Sequence, residues 1–203
     1  MNNQYKSRSK SSRTKLHKLI TPLGSIILGM IFLVRCQTSE TTVKSEVEEY
    51  ARDRALIEDL QARYMFALDN GDLDAYVSTY TKDGILDIGE GEWRGHDTIR
   101  QVLASIPQQA DTPLENESPY PHPATGRHNI TNIVLKIEGD TAYGRAYWFH
   151  LSNNNPQRKA VLDSYGHYED VIVRVDGQWL FSKRKIYNEQ VAKWAAPEGN
   201  PCW

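Results

Sequence analysis

At 203 residues, 39% of them hydrophobic and 25% charged, the chain has room for one ordinary domain and an appendage. Its only cysteines, Cys36 and Cys202, stand at opposite ends, which excludes a disulfide scaffold and a cysteine zinc site. Charge is unevenly spread. Seven of the 24 Lys and Arg precede Cys36, where no Asp or Glu occurs, so the remaining 17 face all 26 acidic residues, a net of −9. An acidic domain of that kind carries no electrostatic footprint for nucleic acid.

The appendage is residues 1–36. A basic stretch, Lys6 to Lys18, leads into an apolar run from Leu19 to Val34. That order is the pattern of an export signal or a single membrane anchor. At about sixteen residues the run is short for a spanning helix, within reach of one that tilts little. Leu33-Val34-Arg35-Cys36 resembles a bacterial lipoprotein cleavage box with Cys36 as the lipidated residue, although Arg35 stands where a small residue belongs. Cleavage with lipidation and an uncleaved anchor are both expectations. In either case the basic segment stays cytoplasmic and the rest is exported, to the periplasmic or extracellular side.

After a polar linker, 37–45, the domain is expected over 46–191, with a C-terminal tail over 192–203. Ile57, Leu60, Tyr64 and Leu68 recur at helical spacing and predict a helix from near Glu46 to Asp69. Gly71 supplies its stop, and Asp72 caps a short helix running to about Tyr80. A strand, Ile85–Ile88, then a helix from His96 or Asp97 to Ile106, come next. The aperiodic segment 107–126 holds five of the nine prolines and reads as a long loop, a lid or a surface excursion. Four strand-like runs follow, 128–138, 141–151, 160–175 and 178–191, joined in part by Gly139-Asp140 and Asp176-Gly177 turns. Helices first and a meander after predict an α+β domain, with the helices packed on one face of a curved antiparallel sheet.

Alternation along the strands places polar side chains among apolar ones. His128, Ile130, Asn132 and Val134 share one face. So do Ala142, Gly144, Ala146, Trp148 and His150, a series of small residues that leaves a hollow. Gly166, Tyr168, Asp170 and Ile172 form a third set, and Leu180, Ser182, Arg184 and Ile186 a fourth, opposed to Trp179, Phe181 and Lys183. A pocket with a few convergent titratable groups accounts for this better than an inert core. Asp69 is out of place in the last turn of its helix, facing the negative end of the dipole. His128 is its natural partner, because a carboxylate on one imidazole nitrogen raises the basicity of the other. The plainer alternative is a core histidine held by Asn132. Tyr64 is either a donor to a substrate carbonyl or oxyanion, or an ordinary core tyrosine. Arg184 either serves the pocket or pairs with Asp170 as a structural ion pair.

Taken together, Ile57-Glu-Asp-Leu, Tyr64, Leu68-Asp69-Asn-Gly-Asp72, Trp93-Arg94-Gly95, Arg127-His128-Asn-Ile-Thr-Asn132, Gly166-His-Tyr168-Glu-Asp170 and Asp176-Gly-Gln-Trp179, leading to Arg184, resemble a SnoaL-like domain of the nuclear-transport-factor-2-like superfamily. The resemblance covers Asp53 to Tyr187 and implies a cone-shaped α+β barrel. A Tyr five residues before an Asp, with a His before an Asn, is similar to the bile-acid 7α-dehydratase pattern. Scytalone dehydratase and hexachlorocyclohexane dehydrochlorinase also use an Asp–His pair in matching places. The resemblance thus implies proton abstraction by His128 supported by Asp69, followed by loss of a β leaving group or migration of a double bond. The sequence departs from scytalone dehydratase at its second histidine, which falls near Ser152 with His150 offset by two, and at its Ser/Asn pair, here Gly166 and Tyr168.

Two readings of function follow. One is a cofactor-independent lyase or isomerase of dehydratase type acting on a mostly apolar, oxygenated small molecule. Its catalytic residues are His128, Asp69 and Tyr64, and its substrate-binding residues Trp148, His150, Asn132, Tyr168, Asp170 and Arg184. No metal or cofactor is expected. The other is a non-catalytic exported module that binds a ligand or partner in the same fold. The membrane is expected as a partner through the N-terminal segment. The outward sheet residues Tyr143, Tyr147 and Phe149 suit either a homo-oligomer interface or a face covered by the C-terminal tail.

Overall fold

In a computed structural model of the chain, the structure describes residues 23–89, 91–105 and 126–195. Packing divides the chain between Glu46 and Val47, and the site lies wholly within the second unit. The first helix, α1, runs Leu23–Asp69, much longer than the stretch from Glu46 that the apolar period suggested. Between Met30 and Asn70 the sequence holds neither Gly nor Pro, so nothing local interrupts the helix through the polar linker. Among the described residues no helix is long and apolar enough to cross a membrane. Leu19 and Ile20, at the start of the apolar run, lie outside the described residues, as do 107–125 of the expected lid and 196–203 of the tail.

Helix α1 ends as its sequence requires. Gly71 takes the left-handed conformation, φ 64°, that a side chain would resist. The Asp72 N–H then donates to the Ala67 carbonyl at 3.0 Å and the Gly71 N–H to that of Leu68 at 3.2 Å. The Asp72 carboxylate accepts from the Ala75 N–H at 2.9 Å and so caps α2, Leu73–Ser78. Strand β1, Tyr80–Ile88, turns into β2, Gly91–Arg94, and α3 follows over His96–Ser105. Then come β3, Gly126–Glu138, β4, Thr141–Ser152, β5, Val161–Val175, and β6, Gln178–Asn188. A single 3-10 turn, Ala192–Trp194, closes the described chain.

The six strands form one sheet in the order β2-β1-β6-β5-β4-β3. It is mixed rather than antiparallel. Strand β1 pairs parallel to β6, Tyr80 against Phe181 and Leu86 against Arg184, because a long crossover through β2, α3 and the meander returns the chain in the same direction. Helices packed on this curved sheet make the α+β cone. Ile57, Leu60, Tyr64 and Met65 from α1, Tyr76 and Val77 from α2, and Leu135, Ala142, Ala146, Ile172, Trp179 and Phe181 from the sheet fill the core. Each fully buried aliphatic or aromatic side chain there is worth about 1.5–3 kcal/mol.

Three bulges alter the faces expected from strict alternation. In β3 the register slips between Thr131 and Val134, and Asn132 takes φ 55°. Leu135 is consequently buried and Val134 exposed, the reverse of the expected order. In β6 the pairing skips Ser182, so Trp179, Phe181 and Arg184 face the same interior although simple alternation sets Arg184 against the other two. In β5 the pairing skips Asp163, next to Ser164, which pairs with His150. A bulge re-aims the side chain that follows it. On the opposite sheet face Tyr143 and Tyr147 are exposed and Phe149 is half-buried.

Candidate active site

The last turn of α1 brings Asp69 against the first residues of β3. Both Asp69 carboxylate oxygens accept from the His128 backbone N–H at 3.1 Å, and Oδ1 also meets His128 Nδ1 at 2.7 Å. The Asp69 side chain is 7% exposed and that of His128 26%. An acid unfavourably placed at a helix C-terminus thus gains two donors, one of them fixed by the sheet backbone. With the carboxylate as acceptor, Nδ1 is the donor, and in the neutral ring Nε2 is the nitrogen that keeps its lone pair.

His128 is paired across the ladder with His150 on β4, and the two rings stack with centroids 4.3 Å apart. His150 Nδ1 lies 3.2 Å from Oδ2 of Asp163, the bulged residue of β5. A Cβ on Gly126 would stand 2.2 Å from His150 Nε2, so only glycine lets this ring lie against the β3 backbone. Each imidazole therefore has its own carboxylate. Asp163 was not foreseen, and its only signal in the sequence is an acid beside the strand that faces His150.

From His128 a row of rings leads into the core. Trp148 is 6.3 Å from His128 by ring centroids, and Tyr168 stacks on Trp148 at 6.0 Å. The Trp148 indole N–H donates to the Tyr187 carbonyl at 3.1 Å. The Arg184 guanidinium comes next, 4.1 Å from the Tyr168 ring, 4.3 Å from Tyr64 and 4.0 Å from Phe181. Arg184 Nε and Nη2 donate to the two oxygens of Asp170 at 2.8 and 2.7 Å, and both side chains are fully buried. Burial works against the Arg184 charge, but the Asp170 carboxylate beside it holds its pKa above the ordinary arginine value. Burial pushes the Asp170 carboxyl up, against the pull of Arg184. The paired Nε and Nη2 bonds are those of an ion pair.

Tyr64 sits at the far end of that row. Its hydroxyl oxygen accepts from the Tyr76 hydroxyl at 2.7 Å, which leaves its own hydrogen available. Burial pushes the Tyr64, Tyr76, Tyr80 and Tyr168 hydroxyls above the usual tyrosine range. All four are neutral donors at ordinary pH.

The structure therefore gathers Asp69, His128, His150, Trp148, Tyr168, Arg184, Asp170 and Tyr64 into one continuous set. Asn132 does not join them. The β3 bulge leaves it exposed, where its side-chain oxygen accepts from the Thr131 hydroxyl at 2.9 Å, so it does not hold His128 either. Among the described residues no cluster of three or more His, Cys, Asp and Glu is arranged to hold a metal ion.

Helices on a curved mixed sheet form an α+β cone, the fold of nuclear-transport-factor-2-like and cystatin-like structures. The chain belongs to the SnoaL-like domain family, whose model matches residues 49–185. No curated protein matches the sequence. Among solved structures, a scytalone dehydratase candidate from Novosphingobium aromaticivorans DSM 12444 is 19% identical, with a TM-score of 0.57 over 76% of this chain and 96% of that one. LinA is 22% identical, with a TM-score of 0.55 over 68% of this chain and 87% of its own. ActVI-ORFA from Streptomyces coelicolor is 20% identical, with a TM-score of 0.56 over 68% of this chain and 98% of that one. At these identities the likeness is one of fold.

Proposed function

We propose that the protein is a cofactor-independent lyase or isomerase that removes a proton from carbon in a mostly apolar, oxygenated small molecule. His128 is the base and Asp69 the carboxylate that orients it. The observation that supports this reading most directly is the 2.7 Å contact from Asp69 to His128 Nδ1, on a ring that remains partly exposed. Nε2 takes the proton, and the electron pair of the C–H bond delocalises onto an adjacent carbonyl as an enolate. The enolate then either expels a β leaving group or is reprotonated at another carbon. The imidazolium that forms faces Asp69, and a positioned base of this kind contributes about 10²–10⁴ in rate. Tyr64 retains a hydrogen to donate to the developing oxyanion. The buried Trp148 and Tyr168 rings make the wall behind His128 apolar, His150 stacks on His128 at the open side, and the Asp170–Arg184 pair lies behind the rings. Membership of the SnoaL-like family, and the scytalone dehydratase and LinA names among its structural neighbours, support small-molecule isomerase or dehydratase chemistry.

Deuterium wash-in reads the proposed step without the final product being known. The full chain is incubated in D₂O with a panel of fused-ring β-hydroxy ketones, and mass spectrometry follows label at the carbon next to the carbonyl. Label should appear with the wild type and fall by about 10²–10⁴-fold in His128→Ala, whose fold stays intact. Equal label in both proteins would remove His128 as the base.

The basic and apolar N-terminal region favours a second reading, an exported module that binds a small molecule without turning it over. A ligand that co-purifies with the chain and shows no wash-in would support it. Under either reading, residues 1–36 serve as an export signal or anchor. Detergent phase partitioning that is lost in Cys36→Ser would support lipidation at Cys36, and partitioning that persists would support an uncleaved apolar anchor.

A further inference from the structure

A second carboxylate–imidazole pair lies against the first. His150 Nδ1 meets Asp163 Oδ2 at 3.2 Å, and the His150 ring lies on that of His128 with 26° between their planes. Local features of three strands place it there. On β4, His150 is the cross-strand partner of His128. On β5 the pairing passes from Leu162 to Ser164, so Asp163 is the unpaired residue of a bulge and its side chain turns to His150. On β3, Gly126 has no Cβ, and His150 Nε2 takes the space that one would fill. Gly126 and His128, two residues apart, share a face, so Nε2 comes to the end of the strand on the side of His128. Among the described residues this nitrogen has no partner, and the side chain keeps 12% of its surface. With Nδ1 engaged, Nε2 is the atom left to exchange a proton with a ligand at the opening.

We infer that His150, positioned by Asp163, is the acid of the reaction and protonates a hydroxyl that leaves from the carbon β to the carbonyl. This deepens the proposed function, rests on His128 as the base, and commits the site to dehydration. His128 Nε2 removes the α proton, and the C–H electron pair becomes the double bond between the α and β carbons. The β C–O bond breaks with its pair on oxygen, and His150 Nε2–H gives that oxygen its proton. Water and an enone leave. His128 ends as the imidazolium and His150 as the neutral ring, and exchange of one proton each with solvent restores them.

The stack divides the labour. Among the described residues, His150 faces the His128 ring from β3 and the Asp163 carboxylate from β5, with Asp69 of α1 beyond His128. Two imidazolium rings with centroids 4.3 Å apart repel, so the pair favours holding one proton over two. One proton on two rings makes one an acid and leaves the other a base, as dehydration requires at its start. Removal of the α proton needs only the base. Departure of hydroxide, a poor leaving group, needs the acid as well.

Two probes that yield the same enone separate these roles. β-Hydroxypropanoyl-naphthalene must lose hydroxide, whereas its β-chloro analogue loses chloride and needs no acid. The full chain is incubated with each in D₂O, absorbance follows the enone, and mass spectrometry follows label at the α carbon. His150→Gln should slow loss of water by about 10²-fold or more, with loss of chloride and α labelling within about threefold of the wild type. Asp163→Asn, a change at a side chain that is 43% exposed, should slow loss of water by about tenfold and spare the chloride probe. Should His150→Gln fail to fold, Asp163→Asn carries the test. A merely structural role would slow both probes alike. Equal slowing of the two probes, or loss of water unchanged in both variants, would overturn His150 as the acid and leave His128 standing. So would a wild type that labels the α carbon yet expels no water. A wild type that neither labels nor eliminates would overturn the proposed function and the acid together.

Discussion

Helix α1 brings two buried carboxylates to the sheet, and their fates differ. Asp53 accepts from Arg174 Nη2 at 2.6 Å and from the Trp179 indole N–H at 3.4 Å, and the Arg174 guanidinium also lies over the Trp179 ring, 4.6 Å from its centroid. Asp69, sixteen residues later, accepts from His128. Residue type, helix and depth are nearly the same. The partner makes the difference. A guanidinium gives up no proton at any ordinary pH, so Asp53 and Arg174 form a clasp. An imidazole held through one nitrogen still offers the other, so the same kind of contact becomes a poised base.

Substitutions can break that contrast in opposite directions. The largest effect is expected from Asp69→Asn, which keeps an acceptor for the His128 backbone N–H but no longer fixes the ring tautomer. Deuterium wash-in should fall about 10²–10³-fold, with ligand affinity changed by less than about threefold. An unaltered rate would dissolve the pair. Asp53→Ala removes the acceptor of Arg174 Nη2 and of the Trp179 indole, leaves Arg174 its contact with Asp140 at 3.2 Å, and should cost about 1–3 kcal/mol in urea unfolding while leaving the rate per folded molecule unchanged. A rate loss matching that of Asp69→Asn would mean that the two carboxylates are not separable in role.

The smallest effect is spectroscopic. Tyr64, Tyr76, Tyr80 and Tyr168 have folded-state pKa values raised by burial, so at alkaline pH they stay protonated when folded and ionise when unfolded. Their contribution to stability is fully present below pH about 10 and is lost as pH rises above it, because the unfolded state then releases protons that the folded state retains. Absorbance at 295 nm in a rapid pH jump should show a deficit of four among the eleven tyrosines, recovered only on unfolding. A full immediate ionisation would contradict the buried ring row.

Much of the architecture could be read from the sequence. The period of Ile57, Leu60 and Tyr64 gave the buried face of α1, and Gly71-Asp72 gave its stop and the next cap. Asp69 and His128 could be matched by chemistry alone, as a misplaced acid with an imidazole across the sheet. What strict alternation misread were the bulges, because a bulge leaves no period of its own in the residues. It moved Asn132 out of the set, turned Arg184 toward Phe181, and re-aimed Asp163 at His150. Asp53 carried a signal that went unused: it is an acid four residues before Ile57, on the apolar stripe itself. The parallel pairing of β1 with β6 had no local signature, since it is decided by the path of the whole chain.

That pairing sets the order of assembly. Tyr80 meets Phe181 only after everything between them has been synthesised, whereas Asp170 and Arg184 belong to neighbouring antiparallel strands. Contacts between distant parts of a chain form slowly because loop closure comes first. The β3–β6 meander can therefore collapse early around its ion pair, while β1 and β2 wait to dock along the edge of β6. Tyr80 arrives with β1, so the chain completes the polar end of its core last. A nascent copy stalled before residue 178 would hold His128 and His150 in register yet lack both Arg184 and the strand that seats Tyr80.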